Sequence, residues 1–105
     1  MKNKAVQIQT AVNSKEEAQR LADAILKGKL AACIQMFPIL SNYWWEDKIE
    51  ESEEFILLIK TKEDNYKKIE ELIKKLHTYE VPEILSIPIS AISSEYFNWI
   101  KQEIS

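Results

Sequence analysis

A chain of 105 residues, 46% hydrophobic and 30% charged, has enough apolar material for one core and is too apolar for intrinsic disorder. Its net charge of −3 argues against a sequence-independent grip on nucleic-acid phosphates, and no apolar run approaches the ~18 residues of a membrane-spanning helix. Cys33 is the one cysteine, which rules out a disulfide within the chain and suits a reducing compartment, so a cytoplasmic location is expected.

Residues 5–12 alternate, with Val6, Ile8, Thr10 and Val12 on one face and Gln7 and Gln9 on the other, which predicts a first strand. Ser14 stands three residues before Glu17, the spacing of a capping box at a helix start. Ala18, Leu21, Ala22 and Ile25 follow at helical spacing, and Gly28, the only glycine, falls where a left-handed helix stop is wanted. Leu30 to about Trp45 reads as a long second strand in which Pro38 marks a bulge or an edge, because proline cannot donate to the ladder.

The stretch from Tyr43 to Glu51 then crowds three aromatic rings and a run of charges into what reads as an aromatic and acidic turn. An exposed turn normally spends Gly, Asn and Asp, whereas Trp and Tyr supply contact area where two surfaces meet. Glu54 to Lys60 predicts a third strand, and its five consecutive apolar residues leave it no wet face. Thr61 is expected to cap a second helix with Asp64 three residues on, its apolar stripe being Tyr66, Ile69, Leu72, Ile73 and Leu76, ending near His77. Pro82 opens a fourth strand over 83–91, in which Pro88 again implies an edge or bulge. A last short helix carries Tyr96, Phe97, Trp99, Ile100 and Ile104, capped by Ser93 or Ser94.

This order is that of an α+β, ferredoxin-like βαββαβ sandwich with a C-terminal helix. No repeat or linker interrupts it, so residues 1–105 are expected to form a single domain. With two helices on one face, the other face of the sheet has no internal cover, yet its strands are too apolar to meet water. Closed, symmetric self-association is the economical expectation.

Leu30-Ala31-Ala32-Cys33, Tyr43-Trp44-Trp45-Glu46 followed by Lys48-Ile49-Glu50, Ile59-Lys60-Thr61, His77-Thr78-Tyr79-Glu80-Val81-Pro82-Glu83 and Tyr96-Phe97-Asn98-Trp99-Ile100 together resemble the CutA divalent-cation-tolerance family almost from end to end. Two positions depart from its pattern: Asp47 stands where the family carries glycine, and Thr78 where it carries proline. The resemblance implies a cytosolic, ferredoxin-like homotrimer likened to the PII-type signalling proteins, a role in tolerance of divalent metals, and copper binding in some members. The positions matching the ligands of metal-binding members hold Gln9, Leu76 and His77, so only His77 keeps a ligand side chain.

Several residues invite chemistry, each beside a plainer role. Cys33 is either a buried thiol or a soft ligand for Cu(I) or Zn(II). His77, the only histidine, either favours a helix C-terminus by its charge or joins Glu80 and Glu83 in a site suited to Cu(II) or Zn(II). Glu83 either pairs with Lys60 or lines, with Lys60, Tyr79 and Trp45, a cleft between subunits able to hold a small anion or metabolite. Tyr43, Trp44 and Trp45 are assigned to the assembly interface. The charges Asp47, Glu50, Glu51, Glu53 and Glu54 are read as a solvated run, with a weak oxygen-ligand cation site as the sharper alternative.

Catalysis finds little support. Arg20, the one arginine, lies inside the first helix with no glycine-rich loop beside it, unlike the phosphate cradle of an acylphosphatase. No nucleophile has a base near it in sequence, and the central strands lack the stacking aromatics of an RNA-recognition module. Two functions remain: a metal-associated homotrimer that needs no cofactor but takes copper or zinc, and a PII-like adaptor that binds a metabolite or a protein.

Overall fold

The alternation of the N-terminal segment produces β1 (Ala5–Val12), and its even-numbered side chains are buried as the pattern requires. In the computed structural model, which describes residues 4–104, this strand is followed by α1 (Lys15–Lys27), β2 (Cys33–Trp45), β3 (Lys48–Lys62), a 3-10 turn at Glu63–Asn65, α2 (Tyr66–Leu76), β4 (Leu85–Pro88) and α3 (Ser94–Glu103). The four strands form one antiparallel sheet in the order β2-β3-β1-β4, the ferredoxin-like arrangement. Helix α1 starts where Ser14 accepts the Glu17 N–H at 3.1 Å, and α3 where Ser93 accepts that of Tyr96.

Side chains from α1 and α2 bury one face of the sheet. Ala18, Leu21 and Ile25 meet Ile69 and Ile73 over Val6, Ile8, Val12, Leu57 and Ile59 in a single core. On the opposite face, the register sets Cys33 beside Lys60 and Gln7, Gln35 beside Leu58 and Gln9, and Phe37 beside Ile56 and Ala11. That face is not wholly bare. Ile100 of α3 is fully buried yet lies outside the helix-side core, and Tyr96 of the same helix lies beside Cys33. The C-terminal helix therefore covers the Cys33 end of the face that the sequence pattern left open.

The register corrects the reading of the acidic segment. β1 meets β3 only from Phe55 to Lys62, so residues 39–45 of β2 and 48–54 of β3 run on together as a two-stranded arm, which carries the molecule to a length of 44 Å. Glu46 and Asp47, with φ of 50° and 64°, are the whole of its turn. Two left-handed residues give the backbone twist of a type I′ hairpin. The charges Glu50, Glu51 and Glu53 are strand residues and not a turn.

Other boundaries shift for local reasons. Gly28 keeps a right-handed φ of −76°, and the left-handed residue that ends α1 is Lys29, with φ 60°. Thr61 does not cap α2: it lies within β3, fully buried, and its hydroxyl donates to the Leu30 carbonyl at 2.6 Å. The second strand begins at Cys33, because Leu30 ends the turn after α1 with its N–H on Ile25. β4 is confined to four residues. Pro38 and Pro88 both lie on edge strands, and the β2–β3 register passes through Pro38 without a bulge.

Candidate functional site: a cleft at the root of the arm

Where the arm leaves the sheet, the segment after α2 folds back across the end of β1. His77 fixes this turn. Its backbone N–H closes α2 on the Ile73 carbonyl at 2.8 Å, and its Nε2 lies 2.7 Å from the Ala11 carbonyl oxygen. A carbonyl only accepts, so Nε2 carries the proton, which leaves Nδ1 to accept the Tyr79 N–H at 3.0 Å. The two rings meet with centroids 4.8 Å apart.

Tyr79 thereby points its hydroxyl at β3 and donates to Glu54 Oε2 at 2.7 Å. Burial, then the hydrogen bond and charge of Glu54, hold the Tyr79 phenol far above its ordinary pKa. Glu54 stands one residue past the last β1 partner of β3 and is only 7% exposed. Around this pair opens a cleft of about 660 Å³, walled by Tyr43, Trp44 and Trp45 of the arm and by Tyr79, Glu80, Val81 and Glu83, with Ala11 and Glu54 at its base.

The cleft brings together Trp45, Tyr79 and Glu83 as the sequence suggested, and adds Tyr43 and Trp44. Lys60 does not line it. Its ammonium donates to Gln35, and Glu83 takes its hydrogen bond from Gln9 Nε2 at 2.9 Å, so the expected Lys60–Glu83 pair does not form. Glu54, read in the sequence as part of a solvated acidic run, is instead buried at the base of the cleft. Its only signal was a charge opening an otherwise apolar strand, and the partner that makes it meaningful is 25 residues away.

The candidate metal ligands are divided. His77, Glu80 and Glu83 share one segment, but both nitrogens of His77 are engaged. Cys33 lies at the far end of the sheet, four register steps from the Ala11 level, about 13 Å along the strands. Among the described residues no group of three His, Cys, Asp or Glu side chains is placed to hold a metal ion. The described residues of one chain therefore do not by themselves fit a bound metal.

The profile of the CutA1 divalent ion tolerance protein family matches residues 6–103. The chain belongs to the CutA1 family. Among its relatives, the divalent-cation tolerance protein CutA of Archaeoglobus fulgidus is 41% identical over 91 residues, covering 87% of this chain and 89% of the relative. That of Pyrococcus horikoshii is 38% identical over 88 residues, covering 84% and 86%. The solved structure of an Archaeoglobus fulgidus CutA, described as periplasmic, superposes with a TM-score of 0.95 at 38% identity, over 96% of this chain and 99% of that one. CutA1 from Oryza sativa gives 0.95 at 36% identity, over 99% and 96%. The CutA fold is thus shared over nearly all of the chain, arm included.

Proposed function

We propose that this chain acts in divalent-metal tolerance as a non-enzymatic homotrimer that takes up Cu(II), Cu(I) or Zn(II) through side chains of more than one copy. The observation that carries the assembly is the arm. A two-stranded ribbon is marginal in water by itself, and one side of this one bears Leu40, Trp44 and Ile49 at 61%, 71% and 67% exposure, with Trp44 directly opposite Ile49. Burying such a stripe against another copy supplies the cover that the chain itself lacks. Tyr43 and Trp45, on the alternate side of β2, form the border between this interface and the cleft.

Since one chain gathers no metal site, the ions depend on assembly. Glu80 and Glu83 are exposed at the cleft rim, Glu83 with one oxygen on Gln9, and are the carboxylates within reach of a neighbouring copy. His77 joins them only by giving up a hydrogen bond, and Cys33 only from a neighbouring copy. The cytoplasmic assignment rests on a half-buried free thiol, and cell fractionation tests it.

Light scattering is expected to give a mass near three times the 12.3 kDa of the chain, and titration calorimetry a saturable heat with Cu(II) or Zn(II) that falls in Glu80→Gln/Glu83→Gln. A monomer at micromolar concentration, or no saturable heat with either ion, ends this reading. A second reading, a PII-like trimer binding a small metabolite, is favoured by the cleft itself, whose volume of about 660 Å³ falls in the range of small-molecule sites.

A further inference from the structure

The charge of the cleft narrows what it can bind. Its lining includes three carboxylates, Glu54, Glu80 and Glu83, and no lysine or arginine. Lys60, the one cation that sequence reasoning placed there, is held elsewhere by Gln35. A small anion, the ligand suggested by the presence of Lys60, would meet only like charge.

Glu54 is the sharper observation. It is more than nine-tenths buried, and buried carboxylates are almost always paired with a cation. No ion pair among the described residues involves Glu54. Tyr79 donates to one of its oxygens, Oε2; Tyr79 is neutral and stays so. The hydrogen bond orients the carboxylate without compensating its charge. On its side of the ribbon stand Tyr43 and Trp45, with Tyr79 across the cleft, and aromatic faces attract cations by their quadrupoles and do so best when desolvated.

We infer that the cleft is a binding site for a small organic ammonium ion, seated between the arm's aromatic rings with its charge on Glu54 and its outer end toward Glu80 and Glu83. This rests on the metabolite reading of the cleft and specifies its ligand class. Glu54 is the charge partner, Tyr79 the residue that orients it, and Trp45 with Tyr43 the aromatic wall. The rim carboxylates favour a ligand with a second positive group at the far end. A bare metal ion is a poorer match, since the rings offer it no ligand atoms and one Glu54 oxygen is already taken.

The test uses the full chain in its native assembly, titrated with tetramethylammonium, putrescine and spermidine, with Zn(II) and inorganic phosphate in parallel. Saturable quenching of tryptophan fluorescence by an ammonium probe is expected, with affinity falling about tenfold or more in Glu54→Gln and unchanged in Lys60→Gln. In the wild-type protein the indole N–H resonance of Trp45 should shift while that of Trp99 stays. That readout serves if Glu54→Gln does not fold. No saturable binding of any ammonium probe, equal affinity in Glu54→Gln, or displacement of the probes by phosphate overturns the inference; a lysine of a neighbouring copy already seated on Glu54 would give the first result. Ammonium binding without a Zn(II) heat supports it while removing the metal reading, and Zn(II) binding alone does the reverse.

Discussion

His77 donates from Nε2 to the Ala11 carbonyl at 2.7 Å and accepts the Tyr79 N–H on Nδ1 at 3.0 Å, so one neutral imidazole ties the end of α2 to the end of β1. Both bonds vanish in His77→Ala, leaving a backbone carbonyl and an N–H to find water. The expected loss is about 1–3 kcal/mol, measured by denaturant unfolding at fixed protein concentration, because the proposed assembly would make stability depend on it. Faster amide exchange at Tyr79 would mark the cause as local, and unaltered exchange there would refute it.

Tyr79→Phe removes the one hydrogen bond that the buried Glu54 carboxylate accepts among the described residues. A loss of about 1.5–3 kcal/mol is expected, as for bonds to charged groups. The wild type also carries a pH signature. The folded phenol titrates above the unfolded value of 10.0, so above that value the unfolded chain has released a proton that the native state still holds. Stability is therefore complete below pH 10 and declines as pH rises beyond it. The decline should be shallower in Tyr79→Phe, and parallel alkaline curves for the two proteins would contradict the assignment.

Thr10 faces the core with its hydroxyl fully buried and without a hydrogen-bond partner among the described residues. Replacing it with valine keeps the branched shape that suits a strand and removes an orphan polar group. Thr10→Val should raise stability by about 1 kcal/mol. A protein less stable than the wild type would show that the hydroxyl is satisfied in solution.

Asp47 holds φ at 64° in the hairpin turn, a conformation that costs an L-residue roughly 1–2 kcal/mol and glycine nothing. Part of that gain returns as chain entropy in the unfolded state. Asp47→Gly should therefore stabilise the arm by up to about 1 kcal/mol, whereas Asp47→Val should fray it. Protection of the amides of residues 44–49 against exchange reads both effects.

Local periodicity made most elements visible in the sequence. β1 has the bounds that the Val6, Ile8, Thr10, Val12 alternation predicts, and the Ser14 and Ser93 caps sit where their spacing puts them. Failures came where a side chain was claimed by a distant partner. Thr61 looks like a cap until Leu30 takes its hydroxyl, and Lys60 looks like a cleft residue until Gln35 takes its ammonium. The end of β2 at Trp45 was legible, but β3 was expected from Glu54 and begins at Lys48, because Glu46 and Asp47 make a two-residue turn without glycine and the charges after it read as a longer turn. The Glu54–Tyr79 pair depends on the fold of the segment after His77, which no periodicity encodes.

The arm has a cost that goes beyond its exposed rings. Past Phe55 neither of its outer rims is paired with another strand among the described residues, so each offers a row of amide and carbonyl groups to any extended peptide that comes by. Pro38 deletes one donor from the β2 rim, and Glu50, Glu51 and Glu53 set negative charge along β3, devices that discourage indiscriminate strand pairing. Under the proposed assembly, a newly made chain that has yet to meet its own kind would be the aggregation-prone species, with those carboxylates as gatekeepers until it does.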